Sequence, residues 1–175
     1  MIVNGISKIY NEFYNKIYNN IPKNLKFKDL EHFYPNIKIG RVIKVYDGDT
    51  ITIAARIPKS KDRKIYKFNI RLNRIDCPEI KTTNITEKKY GLKIRDILNE
   101  KIMNKMIKLK IINTDKYGRY LAEISYKKEN INNWLLDNKY AIYYDGGKKI
   151  EFSTFNYNNN LFHKLVNQRI NKTII

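Results

Sequence analysis

From Tyr66 to Leu72 the chain alternates strictly: Tyr66, Phe68, Ile70 and Leu72 are apolar, while Lys67, Asn69 and Arg71 are polar. A period of two sends these sets to opposite faces of a strand. That requires a sheet with one face on a core and the other toward water, which excludes a doubly covered parallel sheet here. Arg71 therefore points away from the core. Flanking segments share the texture. Ile37–Val45 and Thr50–Ile57 are rich in β-formers and are separated by Asp47-Gly48-Asp49, a tight-turn sequence. Pro58 to Arg63 reads as a polar loop. Met106–Ile112 and Tyr120–Tyr126 form another pair, joined by a turn carrying Tyr117-Gly118-Arg119. Between the two groups, Tyr90 to Met103 places Ile94, Ile97, Leu98 and Ile102 on one helical stripe. Ile131–Leu136 reads as a short helix, and Leu161, Leu165, Val166 and Ile170 mark a last one. The order predicts an α+β, mainly β, domain: a small closed five-stranded barrel of OB type with flanking helices.

Residues 1–35 have a different pattern and are read as a helical arm preceding a domain over residues 36–175. Ile2, Ile6, Ile9, Phe13 and Ile17 recur at helical spacing, with Tyr10, Tyr14 and Tyr18 beside them. Pro22 ends that helix, and a second helical patch is expected from Leu25 to Phe33, before Pro35. Packing against a core is the favoured role for the stripe. Protein docking and membrane contact are its alternatives.

The formal net charge is +18, from 35 Lys and Arg against 17 Asp and Glu. A surface so basic attracts polyanions, nucleic acid before anionic membrane. Lys, Asn, Ile and Tyr are all abundant, however, and codon composition alone produces such a bias, so charge by itself decides nothing. One cysteine, Cys77, excludes an intramolecular disulfide. No apolar run approaches the roughly 20 residues that span a bilayer. The first residues lack a basic segment followed by an apolar one, and the expected location is intracellular.

Three segments carry chemistry: Asp47-Gly48-Asp49-Thr50, Arg71 through Asp76-Cys77-Pro78-Glu79, and Asp115-Lys116-Tyr117-Gly118-Arg119. Each falls at a strand end or turn, where a small barrel brings side chains together. Asp49, Asp76 and Glu79 are hard oxygen donors, suited to Ca²⁺ or Mg²⁺ rather than zinc. Arg71 and Arg119 offer planar forks that grip phosphate oxygens. A metal, two guanidiniums and a spare carboxylate suffice for phosphodiester hydrolysis. Taken singly, each segment also has a plain reading as a turn or strand end, so the weight lies in their joint occurrence.

Together they resemble the staphylococcal-nuclease family over roughly Ile39 to Tyr144. Val45-Tyr46-Asp47-Gly48-Asp49-Thr50 is similar to the family's first signature, and Arg71 to Glu79 to its second, an arginine followed by D-x-P-E. Lys89-Tyr90-Gly91 resembles the pair that opens its first helix. Thr114 to Arg119 with Leu121-Ala122 resembles the third signature, and Asn132 ahead of Trp134-Leu135-Leu136 the opening of its second helix. The resemblance implies an OB-fold nuclease that binds Ca²⁺ through Asp49, Asp76 and the Cys77 backbone carbonyl. It implies Glu79 as general base or water-orienting group, and Arg71 and Arg119 on the scissile phosphate. Lys116 and Tyr117 would touch the neighbouring phosphate. The family's Tyr-x-Tyr pair is not cleanly present; Tyr143-Tyr144-Asp145-Gly146-Gly147-Lys148-Lys149 stands there, and Tyr143 is a weaker substrate-binding candidate.

The implied activity is Ca²⁺-dependent endonucleolytic hydrolysis of DNA and RNA, single-stranded or locally melted, with little sequence preference and 3′-phosphate products, by a monomer. The rival readings are a non-catalytic nucleic-acid-binding barrel and an adaptor that docks on a membrane or protein through residues 1–35. His32 and His163, outside the signatures, are assigned no chemistry.

Overall fold

The computed structural model describes residues 10–14, 16, 21–61 and 63–147. The chain divides into two compact units, Met1–Tyr34 and Pro35–Ile175. In the second, five strands carry the architecture: β1 (Ile39–Val45), β2 (Thr50–Arg56), β3 (Ile65–Leu72), β5 (Met106–Thr114) and β6 (Tyr120–Tyr126). Short pairs β4 (Ile75–Asp76), β7 (Glu129–Asn130) and β8 (Ile142–Tyr143) sit at their ends, with helices α1 (Ile85–Ile102) and α2 (Ile131–Asp137) between strands.

The strand order β3-β2-β1-β5-β6 runs through antiparallel pairs and closes on itself, because β3 also pairs with β6 in parallel. The result is a closed five-stranded barrel, so no long strand keeps a bare edge. Register shifts between Val42 and Lys44 in β1, and between Ile111 and Asn113 in β5, bend those strands around the closure. Alternation fills the interior. Ile51 and Ile53 of β2, Ile70 and Leu72 of β3, and Ala122 and Ile124 of β6 are fully buried. Each isoleucine or leucine so buried contributes about 1.5–3 kcal/mol of transfer free energy. Ile94, Leu98 and Ile102 of α1 and Ile131 and Leu135 of α2 complete the same core.

The helix α1 begins five residues before the expected Tyr90. Asn84 is its N-cap: the side-chain oxygen accepts the backbone N–H of Thr86 at 3.0 Å and of Glu87 at 3.1 Å. Such a cap contributes about 1 kcal/mol. Met106–Ile112 extends to Thr114, and β4, β7 and β8 are additions to the expected strands.

In the first unit, residues 10–14 are helical, with the Tyr10 and Tyr14 rings stacked 6.0 Å apart. Among the described residues of this unit, Tyr10, Phe13, Tyr14, Ile21, Leu25, Phe27, Leu30, Phe33 and Tyr34 are all exposed. Ile2, Ile6, Ile9, Ile17 and Tyr18 lie outside the described residues, as do Lys148, Lys149, His163 and the helix expected around Leu161–Ile170. The helix expected over Leu25–Phe33 shortens to a single 3₁₀ turn, Phe27–Asp29, whose cap Lys26 supplies no side-chain hydrogen bond. Without a cap or a buried face, one turn does not repay the cost of nucleating a longer helix. No helix among the described residues is long and apolar enough to cross a membrane.

Candidate functional site

The turn between β1 and β2 places the first acid. Asp47 opens it, with its carboxylate accepting the backbone N–H of Asp49 at 3.2 Å. Gly48 is required by space. A Cβ there would lie 2.7 Å from Cys77 Sγ and 2.8 Å from both Cys77 Cβ and Ile94 Cγ2. The turn thus seats Asp49 against the segment that carries Asp76. Leu72 N–H donates to the Asp49 carbonyl at 2.7 Å, locking β3 to the turn.

The second acid follows β3. Arg71, on the outward face of that strand, lies between the two carboxylates. Its Nη1 is 2.7 Å from Asp49 Oδ2 and its Nη2 2.9 Å from Asp76 Oδ1. Nη1 also donates to the Ile75 carbonyl at 2.9 Å, which fixes the turn that delivers Asp76. Asp49 Oδ2 accepts the Cys77 N–H at 3.0 Å, and Asp49 Oδ1 the Thr50 hydroxyl at 3.0 Å. Both acids are only 6% exposed, which makes their charge expensive. Burial pushes Asp49 well above the ordinary carboxylate range, against the pull of Arg71; Asp47 and Asp76 add to the rise. Burial works against the charge of Arg71, yet Asp49 and Asp76 together hold its pKa above the usual value. The Cys77 thiol is buried and pushed well up, chiefly by desolvation. That side chain acts as packing, and its carbonyl is the functional group on offer.

Glu79 is half-buried and its backbone is held from the helix. Glu87, in the first turn of α1, accepts Glu79 N–H at 3.1 Å and the Thr82 hydroxyl at 2.7 Å. Gly91 lets the helix approach: a Cβ there would lie 2.6 Å from the Pro78 carbonyl oxygen and 3.2 Å from Glu79 backbone atoms. The resemblance points to Gly91 without explaining it. Nothing in the sequence singles out Glu87 or Asp47 as supports, because their partners are eight and two residues away in irregular segments.

The parallel pairing of β3 with β6 brings in the third segment. Arg71 pairs with Leu121 across the ladder, and Arg119 stands in the loop immediately before β6, two residues ahead of Leu121. Asp115 builds the loop. Its Oδ1 accepts Tyr117 N–H and Arg119 N–H, each at 2.9 Å, and its Oδ2 takes Arg119 Nε at 2.6 Å. These bonds outweigh the burial that opposes its charge and lower the Asp115 pKa. The Tyr117 ring is exposed, with Lys116 Nζ 5.1 Å and Arg119 Cζ 5.7 Å from its centroid. Tyr143 is brought to the acids' segment by β8, which pairs Ile142 with Asp76 and Tyr143 with Ile75; its side chain is exposed. Asn132 braces the assembly from α2. Its Oδ1 accepts Ile124 N–H at 3.1 Å, and its Nδ2 donates to the carbonyls of Asn73 at 3.0 Å and Ala122 at 3.2 Å.

Among the described residues, no group of three or more His, Cys, Asp or Glu side chains is gathered to hold a metal by side chains alone. Two buried carboxylates, Asp49 and Asp76, are donors of the kind a hard divalent ion takes together with water.

A family model described as staphylococcal nuclease homologue matches residues 69–163. The span contains Arg71, Asp76, Glu79 and Arg119; Asp49 lies before it. An uncharacterized endonuclease of Haemophilus influenzae is 34% identical over 92 residues, covering 53% of this chain and 44% of its own length. A thermonuclease of Staphylococcus hyicus is 33% identical over 94 residues, 53% and 51% respectively. An uncharacterized protein of Methanocaldococcus jannaschii is 33% identical over 138 residues, 65% and 60%. The chain spans about half the length of the curated relatives it matches. With a closed barrel of the expected topology and more than half its residues inside the family match, the chain belongs to the staphylococcal nuclease homologue family.

Proposed function

We propose that the protein is a Ca²⁺-dependent endonuclease that hydrolyses phosphodiester bonds of DNA and RNA with little sequence preference, leaving 3′-phosphate ends. The observation that carries the reading is Arg71 bridging two buried acids, Asp49 and Asp76, at the mouth of a family barrel. Asp49, Asp76 and the Cys77 carbonyl would hold the ion, which would supply Lewis-acid stabilisation of phosphoryl charge. Arg71 and Arg119 grip the scissile phosphate and favour the five-coordinate geometry over the ground state. Glu79 orients the attacking water or takes its proton. The water oxygen bonds to phosphorus, the P–O5′ bond breaks, and the 5′ oxygen leaves with the bonding electron pair and takes a proton from solvent to become a hydroxyl. Lys116 and Tyr117 contact the neighbouring phosphate, and Tyr143 is the weaker candidate for contact with the substrate. The substrate is single-stranded or locally melted, and the enzyme acts as an intracellular monomer.

The purified chain should degrade plasmid DNA and RNA with added Ca²⁺, stop in excess chelator, and work poorly in Mg²⁺, whose short bonds demand a tighter octahedron. Undiminished cleavage in chelator, or intact substrates in every condition, contradicts the reading. Binding of nucleic acid without any cleavage would favour the non-catalytic barrel instead.

A further inference from the structure

A cleft of about 490 Å³ is lined by Asp47 and Glu79 together with Lys44, Tyr46, Lys81, Arg95, Asp96 and Asn99 among others. Its size is that of small-ligand clefts. Tyr46 is 41% exposed, and the ammonium groups of Lys44 and Lys81 each lie 5.4 Å from its ring centroid. Lys81 also shares a hydrogen bond with the Tyr46 hydroxyl, which raises its pKa and keeps it charged.

The charged side chains lining the cleft balance formally, three basic (Lys44, Lys81, Arg95) and three acidic (Asp47, Glu79, Asp96). Net charge therefore does not explain what it attracts; placement does. Arg95 closes on Asp96, with Nε at 3.0 Å and Nη2 at 2.7 Å from Oδ1. Asp47 is engaged by the Asp49 backbone N–H at 3.2 Å. The two ammonium groups lie beside the exposed ring, with Asp47 and Glu79 also on the wall of the cleft. An aromatic face flanked by two flexible cations is the composition that holds one nucleotide of a single strand, the base on the ring and the phosphates on the lysines. Asp47 precedes Asp49 by two residues and Glu79 follows Asp76 by three, so the cleft is lined by the same two segments that carry the paired acids.

We propose that this cleft is an accessory subsite that takes one nucleotide of the substrate strand beyond the scissile phosphate, stacking its base on Tyr46 and pairing its phosphates with Lys44 and Lys81. The proposal rests on the nuclease reading for its substrate class, but its binding step stands apart from cleavage.

The experiment compares the full chain with Tyr46→Ala, Tyr46→Phe and Lys44→Gln/Lys81→Gln. KM is measured for a dinucleotide and for a single DNA strand of about 12 nucleotides, within the usual range of single-strand site sizes. Binding of the longer strand is followed in parallel by fluorescence anisotropy in chelator. In Tyr46→Ala, affinity for the long strand should fall about tenfold more than affinity for the dinucleotide, as expected for one lost base–aromatic stack. Tyr46→Phe, which keeps the ring, should recover the long-strand affinity. The double lysine variant should make the salt slope of long-strand binding shallower by about 1.4, for two phosphates lost. Equal losses on both lengths, a long-strand affinity that does not respond to Tyr46→Ala, or tight binding of a free mononucleotide in place of the strand overturns the proposal. Wild-type binding that depends on Tyr46 without cleavage of either substrate supports the subsite and refutes the nuclease reading, so the two failures are told apart.

Discussion

Asp115 takes the Nε of Arg119 and so fixes the plane in which its two Nη groups lie. Arg119→Lys keeps the charge but loses that plane. Turnover should fall by about 10² or more, the scale of one preorganised transition-state donor, while binding of the strand changes far less. Steady-state kinetics beside a binding titration check this, and near-normal turnover would remove Arg119 from the chemistry. Asp49 answers to a different measurement. Its folded pKa is raised, so the unfolded chain gives up this proton at lower pH than the folded one. Stability in chelator should therefore fall as pH rises through the window above the ordinary carboxylate value. Asp49→Asn should flatten that dependence and raise the melting temperature at neutral pH, while abolishing cleavage. A destabilised Asn variant would mean that the ion pair with Arg71 outweighs the cost of burial.

At the scale of elements, α1 positions Glu79 through Gly91 and Glu87. Gly91→Ala tests which of two effects is larger. Alanine gains up to about 1 kcal/mol of helix propensity. The added Cβ meets a backbone oxygen at 2.6 Å, which cannot swing aside, and overpacking of this kind costs about 1–3 kcal/mol. The expected outcome of a urea melt is net destabilisation, with lower turnover because the Pro78–Glu79 segment is displaced; a stabilised, fully active variant would contradict it. How much of this was legible in the chain differs by element. The alternation at Tyr66–Leu72 foretells both the inward set and the outward Arg71, because periodicity is a local property. The first turn of α1 is not legible in the same way. Ile85 is 70% exposed there and no apolar stripe has begun, so the Asn84 cap reads only as one more polar residue of a loop. Two-residue strands such as β4 and β8 have no period at all and exist only as pairing partners. The three signatures name Asp49, Arg71, Asp76 and Arg119, but the supports Asp47, Glu87 and Asp115 acquire meaning only once the barrel is closed.

For the whole molecule, closure decides the site. The parallel β3–β6 ladder pairs Arg71 with Leu121 and so brings the loop carrying Arg119 to the end of β3, though 48 positions separate the two arginines in the chain. The net charge of +18 contributes attraction at long range, which is screened beyond a Debye length of about 8 Å at physiological salt. Charge therefore brings a strand to the surface without selecting the bond that breaks. The exposed aromatic and aliphatic side chains of the first unit take no part in this account of the site. The central claim is that Asp49, Arg71, Asp76 and Arg119 together direct water onto phosphorus with loss of the 5′ oxygen. Its most direct test is mass spectrometry of the ends produced from a single DNA strand in Ca²⁺, with the wild-type chain and Asp76→Asn run side by side. The account predicts 3′-phosphate and 5′-hydroxyl ends from the wild type and no new ends from the variant. 5′-phosphate ends, or wild-type cleavage by Asp76→Asn, would contradict it.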